Sequence, residues 1–165
     1  MSSSASEPDQ DDATHLRRAR LSMLARAPEA ELLALWEGWL DGRREPAHEM
    51  LRPPEIGTVM VRGRAGATGA PFNLGEMTVT RASVRLSDGA GQGSGGHGHV
   101  QGRSRDGARV AALIDALCEA GQADALEAAI LGPLRRSAER RKVERAQKAA
   151  ATKVEFFTMV RGDNA

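Results

Sequence analysis

Three arginines on or near the predicted strands are the residues whose chemistry points most directly to a ligand. Arg81 and Arg85 share the polar face of one strand, and Arg103 follows the next. A guanidinium group can bind phosphate oxygens through two parallel hydrogen bonds, so these arginines are candidate phosphate or phosphonate ligands. The pattern also fits a solvated sheet face with salt bridges to nearby carboxylates, namely Glu76 and Asp88.

A second candidate is the glycine-rich turn that precedes the arginine-bearing strand. Successive glycines around a threonine can aim backbone N–H groups at an anion, and a neighbouring arginine can pair with it. The candidate residues of this turn are Arg64, Gly66, Thr68 and Gly69. A plain connection between two strands needs glycines as well, so the pattern leaves both readings open.

Other signals for catalysis or metal binding are weak. The stretch 91–96 has the spacing of a dinucleotide-binding loop, but a strand is predicted after it where that loop requires a helix. His97 and His99 share one face of that strand, yet no third ligand stands near them, so we predict no metal site. Cys118 lies on an apolar helical face and is predicted to be a core residue. No catalytic residue can be assigned from the sequence.

The elements that position these residues follow from the hydrophobic pattern. Apolar residues recur with helical spacing before residue 42 and after residue 104, whereas the segments 56–64, 74–87 and 97–103 have strand character. Residues 43–55 contain three prolines and are predicted to form a loop. Because the helices flank the strands rather than alternate with them, we predict an α+β fold. Its small antiparallel sheet would have about three or four strands, with C-terminal helices packing on it.

The strand 74–87 changes its apolar phase in the middle. Apolar residues fall at odd positions up to Val79 and at even positions from Ala82 onwards. A one-residue β-bulge near Thr80–Arg81 would reconcile the two halves. Since bulges often re-aim side chains beside functional sites, we expect ligand contacts here.

The two ends of the chain differ in character. Residues 1–13 are acidic and polar and are predicted to be a disordered tail, which leaves 14–165 as a single domain. The C-terminal segment instead contains a dense apolar cluster, and we predict that it docks on the chain's own core or on another subunit. The residues of this docking segment are Phe156, Phe157, Met159, Val160 and Arg161.

Composition excludes several function classes. The formal net charge is +1, which argues against a nucleic-acid-binding protein. The sequence has no apolar run long enough to span a membrane and no secretory signal. A single cysteine also suits a reducing compartment, so a cytoplasmic protein is expected.

Five blocks of the sequence, taken in order, resemble the PhnG family of the bacterial carbon–phosphorus lyase system. They are GATG with the following Phe72, LGEMTVTRASVRL at 74–86, VQGR at 100–103, AALIDAL at 111–117 and FFTMVRGDNA at 156–165. The resemblance covers the chain from about His15 to Ala165.

The resemblance implies a subunit of the cytoplasmic carbon–phosphorus lyase core complex. In that family the subunit works with the nucleosidase subunit PhnI, assisted by PhnH and PhnL, and it also assembles with PhnJ. Together they displace adenine from ATP with an alkylphosphonate, which gives a ribose 1-phosphonate bearing a 5-triphosphate. Iron–sulfur radical chemistry belongs to PhnJ, so this chain is expected to bind no cofactor.

The arginines and the glycine-rich turn are then expected to face a shared ligand site or a subunit interface. The alternative is a structural adaptor that assembles the complex without touching its ligands.

Overall fold

Helices flank a three-stranded antiparallel sheet, in the strand order β1-β2-β3. The structure is a computed structural model, and it describes residues 10–66, 68–87 and 93–151. The elements in chain order are α1 (Gln10–Leu24), α2 (Glu29–Leu40), β1 (His48–Arg64), β2 (Pro71–Leu86), β3 (Gly95–Gln101), α3 (Arg105–Leu117), α4 (Ala123–Leu126) and α5 (Gly132–Ala151). A kink at Gly121, within Cys118–Gln122, separates α3 from α4, and a π-helical turn at Glu127–Leu131 joins α4 to α5. The predicted α+β class is confirmed.

The core lies between α3 and one face of the sheet. Most of α3 is buried, because its sequence from Val110 onwards is rich in alanine and larger apolar residues. Gly96 and Gly98 of β3 face this helix, and a Cβ at either position would run into the backbone of α3. The helix can therefore lie directly on the strand. Leu32 and Trp36 of α2 are buried in the same core.

The two ends of α3 follow local sequence signals. Ser104 caps the first turn, and its Oγ accepts a hydrogen bond from the backbone N–H of Gly107 at 2.9 Å. Beyond the other end, Gly121 adopts a φ of 87°, a left-handed conformation that ends the regular helical path at little cost for glycine. Cys118 is buried, which confirms its predicted place in the core.

The prediction of a loop at 43–55 is wrong for its second half. Strand β1 begins at His48 and continues through Pro53 and Pro54. These prolines are tolerated because β1 is an edge strand, where a missing N–H breaks no inner hydrogen bond. The pairing is irregular at this point: between the pairs Arg52–Ser83 and Glu55–Arg81, β1 advances three residues and β2 two. The extra residue belongs to β1.

The prediction of a β-bulge in β2 near Thr80–Arg81 is therefore wrong. Strand β2 keeps an unbroken register with β3 from Val79 onwards. The apolar phase seemed to change because Thr80, a polar residue, occupies a core position. Its hydroxyl donates a hydrogen bond to the carbonyl of Gly102 at 2.8 Å, which satisfies the group inside the core.

The boundaries of the described part limit two predictions. Helix α1 begins at Gln10, so residues 10–13 are helical although they were predicted to belong to a disordered tail. Residues 1–9 and 152–165 lie outside the described part. The predicted docking segment at 156–161 is among them and stays a prediction. None of the helices in the described ranges is long and apolar enough to cross a membrane.

Candidate functional site

The face of the sheet that points away from α3, here called the open face, carries two neighbouring rows of polar side chains. Directly paired residues point to the same face of a sheet, as do residues two apart along one strand. The two rows, read from β1 to β3, are Glu55–Arg81–His99 and Arg52–Ser83–His97.

The local sequence explains why these side chains share a face. In β3 glycine alternates with histidine, so Gly96 and Gly98 meet α3 while His97 and His99 point outwards. In β1, Arg52 and Glu55 are three residues apart and would point to opposite faces of a regular strand. The extra residue between them brings both onto the open face.

One carboxylate joins two arginines at the centre of this face. Oε2 of Glu55 lies 3.1 Å from Nη1 of Arg52 and 3.2 Å from Nη2 of Arg81. All three side chains are about half exposed, at 47%, 45% and 52% respectively. A single oxygen thus serves two guanidinium groups, each of which has five N–H donors. Most of their hydrogen-bonding capacity faces solvent.

The two histidines add further polar groups. Nδ1 of His97 lies 2.9 Å from the hydroxyl oxygen of Ser83. No carboxylate contact orients this imidazole ring from its other nitrogen within the described residues, so the pair lacks the third member of a catalytic triad. Partial burial lowers the pKa of His99, and the positive charges of Arg81, His97 and Arg52 lower it further. The open face therefore has a positive local potential.

The structure places the predicted arginines unequally. Arg81 and Arg85 both lie on the open face, with Arg85 two residues further along β2 than Ser83. Arg81 forms a salt bridge with Glu55 of β1, a carboxylate that the sequence analysis did not name as a partner of the arginines. Arg103 is exposed in the short connection between β3 and α3, outside the two rows.

The predicted glycine-rich turn lies at the tip of the β1–β2 hairpin. Nη1 of Arg64 donates to the carbonyl of Gly69 at 3.3 Å, and the backbone N–H of Thr68 donates to Gly66 at 2.8 Å. Pro71, the first residue of β2, and Arg81 are separated by about 33 Å at the usual rise of a strand. The turn and the arginines therefore do not form one site within the chain.

A buried charged cluster, which the sequence analysis did not identify, lies beside β3. Asp115 of α3 has no exposed side-chain surface and accepts hydrogen bonds from Arg17, from Arg20 and from the backbone N–H of His97. Glu119 pairs with the same two arginines. The hydrogen bond to Asp115 raises the pKa of Arg17. The cluster links α1 to α3 at the free edge of β3. In the sequence, the feature that could have indicated it was an aspartate, Asp115, among the apolar residues of a helix.

A groove of about 730 Å³ is lined mainly by α1 and α5. Two arginines of its rim are already paired: Arg135 with Glu127, and Arg141 with Glu31. Apolar side chains, among them Leu16, Met23 and Leu134, also line the groove. No group of three or more metal-ligating side chains occurs among the residues described.

The fold and the site together define a small α+β protein whose sheet exposes arginine and histidine side chains on one face. A family model described as "Phosphonate metabolism protein PhnG" matches residues 15–162. A protein of Rhizobium meliloti (strain 1021), named alpha-D-ribose 1-methylphosphonate 5-triphosphate synthase subunit PhnG, is 41% identical over 160 residues, which span 97% of this chain and 98% of the relative. The chain belongs to the PhnG family, which confirms the resemblance seen in the sequence.

Proposed function

We propose that this chain is a subunit of a synthase complex that transfers an alkylphosphonate to C1 of the ribose of ATP. A phosphonate oxygen bonds to C1 as the bond between C1 and the adenine nitrogen breaks. Adenine leaves with that electron pair and takes up a proton, and the triphosphate stays on the ribose. The observation that supports this proposal most strongly is the match, along nearly the whole chain, to a relative named as a subunit of this synthase.

In this proposal the chain supports the reaction and the nucleosidase subunit PhnI performs it, with PhnH and PhnL assisting and PhnJ in the same larger assembly. The open face suits this division, because its guanidinium and imidazole groups can bind and orient an anion. The chain itself needs no cofactor, and ATP and the alkylphosphonate are substrates of the complex. The reaction belongs in the cytoplasm, where ATP is made and used.

Phosphorus NMR tests the proposal directly. ATP, methylphosphonate, PhnI, PhnH and PhnL are incubated with and without this chain, and the ribose–phosphonate product is followed. We expect product only when the chain is present. Equal product formation without the chain contradicts the synthase role. A mock purification from cells that do not express the chain is the matched control for carry-over of contaminating enzymes.

A second candidate function is that of a structural adaptor, and the β1–β2 hairpin favours it. Strand β3 pairs only with residues 79–85 of β2, so the outer part of the hairpin forms a two-stranded arm. Two-stranded ribbons are marginally stable alone in water. This arm also exposes large apolar side chains, which suits contact with another subunit. They are Val59, Met60, Phe72 and Leu74.

The C-terminal segment is included in the proposal as a docking element. We expect that deletion of residues 156–165 abolishes co-purification with PhnI. An insoluble product would mean that the segment packs on the chain's own core, and normal assembly would refute both versions.

Substitution of the arginines of the open face distinguishes the synthase role from the adaptor role, because an adaptor keeps full turnover as long as the complex forms.

A further inference from the structure

This part of the open face holds more guanidinium groups than carboxylates among the described residues: Arg52, Arg81 and Arg85 against Glu55 and Glu49. Arg52 and Arg81 share one oxygen of Glu55, and their remaining N–H donors are free to bind an additional anion. Arg85 adds a third guanidinium group on the same face, where Glu49 of β1 lies directly opposite it. Such an arrangement differs from an ordinary surface salt bridge, in which one charge meets one partner.

The spacing of these groups suits an elongated anion. The Cα atoms of Arg81 and Arg85 are about 13 Å apart along β2, from the usual rise per residue. Arg52 lies between their levels on the neighbouring strand, opposite Ser83. Long arginine side chains at these three positions can converge on a chain of several phosphate groups, whereas a single small anion would meet only one or two of them.

We propose that the open face binds the polyphosphate chain of a nucleoside triphosphate, with Arg52, Arg81 and Arg85 as its ligands and Glu55 as the internal anion that it displaces. The proposal rests on the proposed function, in which a nucleoside triphosphate is a substrate of the complex. It adds two residues, Arg52 and Glu55, that the sequence placed in a loop. His97, His99 and Ser83 complete the polar surface around the bound phosphates.

Binding should be linked to the protonation of His99. The charged and titratable groups that face this imidazole are Arg52 and Glu55 on β1, Arg81 on β2 and His97 on β3. Burial is the largest cause of the lowered pKa of His99, and the neighbouring positive charges add to it. A bound polyanion offsets those charges, so the pKa of His99 rises on binding. A group whose pKa is higher in the bound state favours binding at low pH. Affinity therefore increases as the pH falls through the pKa of the bound form.

Calorimetric titration of the full-length chain with inorganic tripolyphosphate tests the proposal. We expect that Arg52→Ala and Arg81→Ala each weaken binding roughly tenfold, as for one lost charge-assisted contact. Glu55→Gln should tighten binding several-fold, because it removes the competing carboxylate. Arg136→Ala is the control, because Arg136 is exposed on α5 and its loss removes the same charge away from the open face. This variant should keep its affinity within about twofold of the unsubstituted chain. NMR titration of His99 should show its pKa rising with tripolyphosphate.

Two results would overturn the proposal. Equal weakening by Arg136→Ala and Arg52→Ala would mean that the chain attracts anions through its general charge. Absence of tripolyphosphate binding at millimolar concentration, by the chain alone and by the assembled complex, would also reject it. If Arg52→Ala and Arg81→Ala then disrupted co-purification with PhnI, the open face would be a protein interface. Because the titration measures neither turnover nor product, its failure is distinguishable from failure of the synthase role.

Discussion

Asp115 and Glu55 each pair with two arginines, yet the two clusters differ in every other respect. Asp115 is fully buried, and both of its oxygens are occupied by Arg17, Arg20 and the backbone N–H of His97. Glu55 is about half exposed and contributes only one oxygen to its arginines. The first cluster is complete within the chain, and the second leaves donors that face solvent.

The difference distinguishes charged groups that stabilise the fold from charged groups that can still bind a ligand. A buried charged group is tolerated only when its partners compensate for lost hydration, and removal of one partner exposes that cost. An exposed cluster gains little stability from its ion pairs, because water already solvates each member. The number of arginines around a carboxylate therefore says less about function than the burial of the carboxylate and its free hydrogen-bonding capacity.

The largest expected effect follows from Asp115→Asn. This substitution keeps the shape of the side chain but removes the charge that compensates Arg17 and Arg20. We expect a loss of about 3–5 kcal/mol in the free energy of unfolding, typical of a broken buried ion pair. Urea denaturation followed by circular dichroism measures it.

Glu139→Gln is the matched control for Asp115→Asn. Its carboxylate pairs with Lys142 on the exposed surface of α5, where both side chains are more than half exposed. The control should change the unfolding free energy by less than about 0.5 kcal/mol. A loss below about 1 kcal/mol for Asp115→Asn would contradict a structural role for the buried cluster.

Sequence patterns predicted the fold class because hydrophobic periodicity records burial directly. They failed where tertiary contacts placed a residue in an environment that its residue type does not predict. Thr80 is polar but buried, since the carbonyl of Gly102 satisfies its hydroxyl. Pro53 and Pro54 signalled a loop, but an edge strand accepts them without losing an inner hydrogen bond.

The site was predicted only in part, for a similar reason. Arg81 and Arg85 alternate with core residues along one strand, so their shared face can be read from the sequence. Arg52 and Glu55 join them through the extra residue in β1, which a period of two cannot reveal. The partnership of Asp115 with Arg17 and Arg20 spans about 95 or more positions of the sequence, beyond any local pattern.

A paired substitution in β3 compares the covered and open faces of the sheet at adjacent positions. Gly98→Ala adds a methyl group against the backbone of α3 at Ala108, so the helix must move away from the strand. We expect a loss of about 1–3 kcal/mol in unfolding free energy, as in overpacked cores. His99→Ala, one residue further on the exposed face, should change it by less than about 0.5 kcal/mol. Similar losses from both variants, measured by thermal and urea unfolding, would mean that the open face is also packed.

The smallest expected effect on stability comes from Glu55→Gln. Exposed ion pairs typically contribute between zero and about 1 kcal/mol, and Glu55 and its two arginines are all about half exposed. We therefore expect a change below about 0.5 kcal/mol in urea unfolding, and any loss should shrink in high salt, which screens exposed charges. The loss from Asp115→Asn should persist in the same salt series, because water and ions do not reach that carboxylate. If Glu55→Gln destabilised the chain as much as Asp115→Asn, Glu55 would be a structural group and its displacement by a ligand would be too costly. A neutral result leaves the two arginines free to exchange the carboxylate of Glu55 for a phosphate.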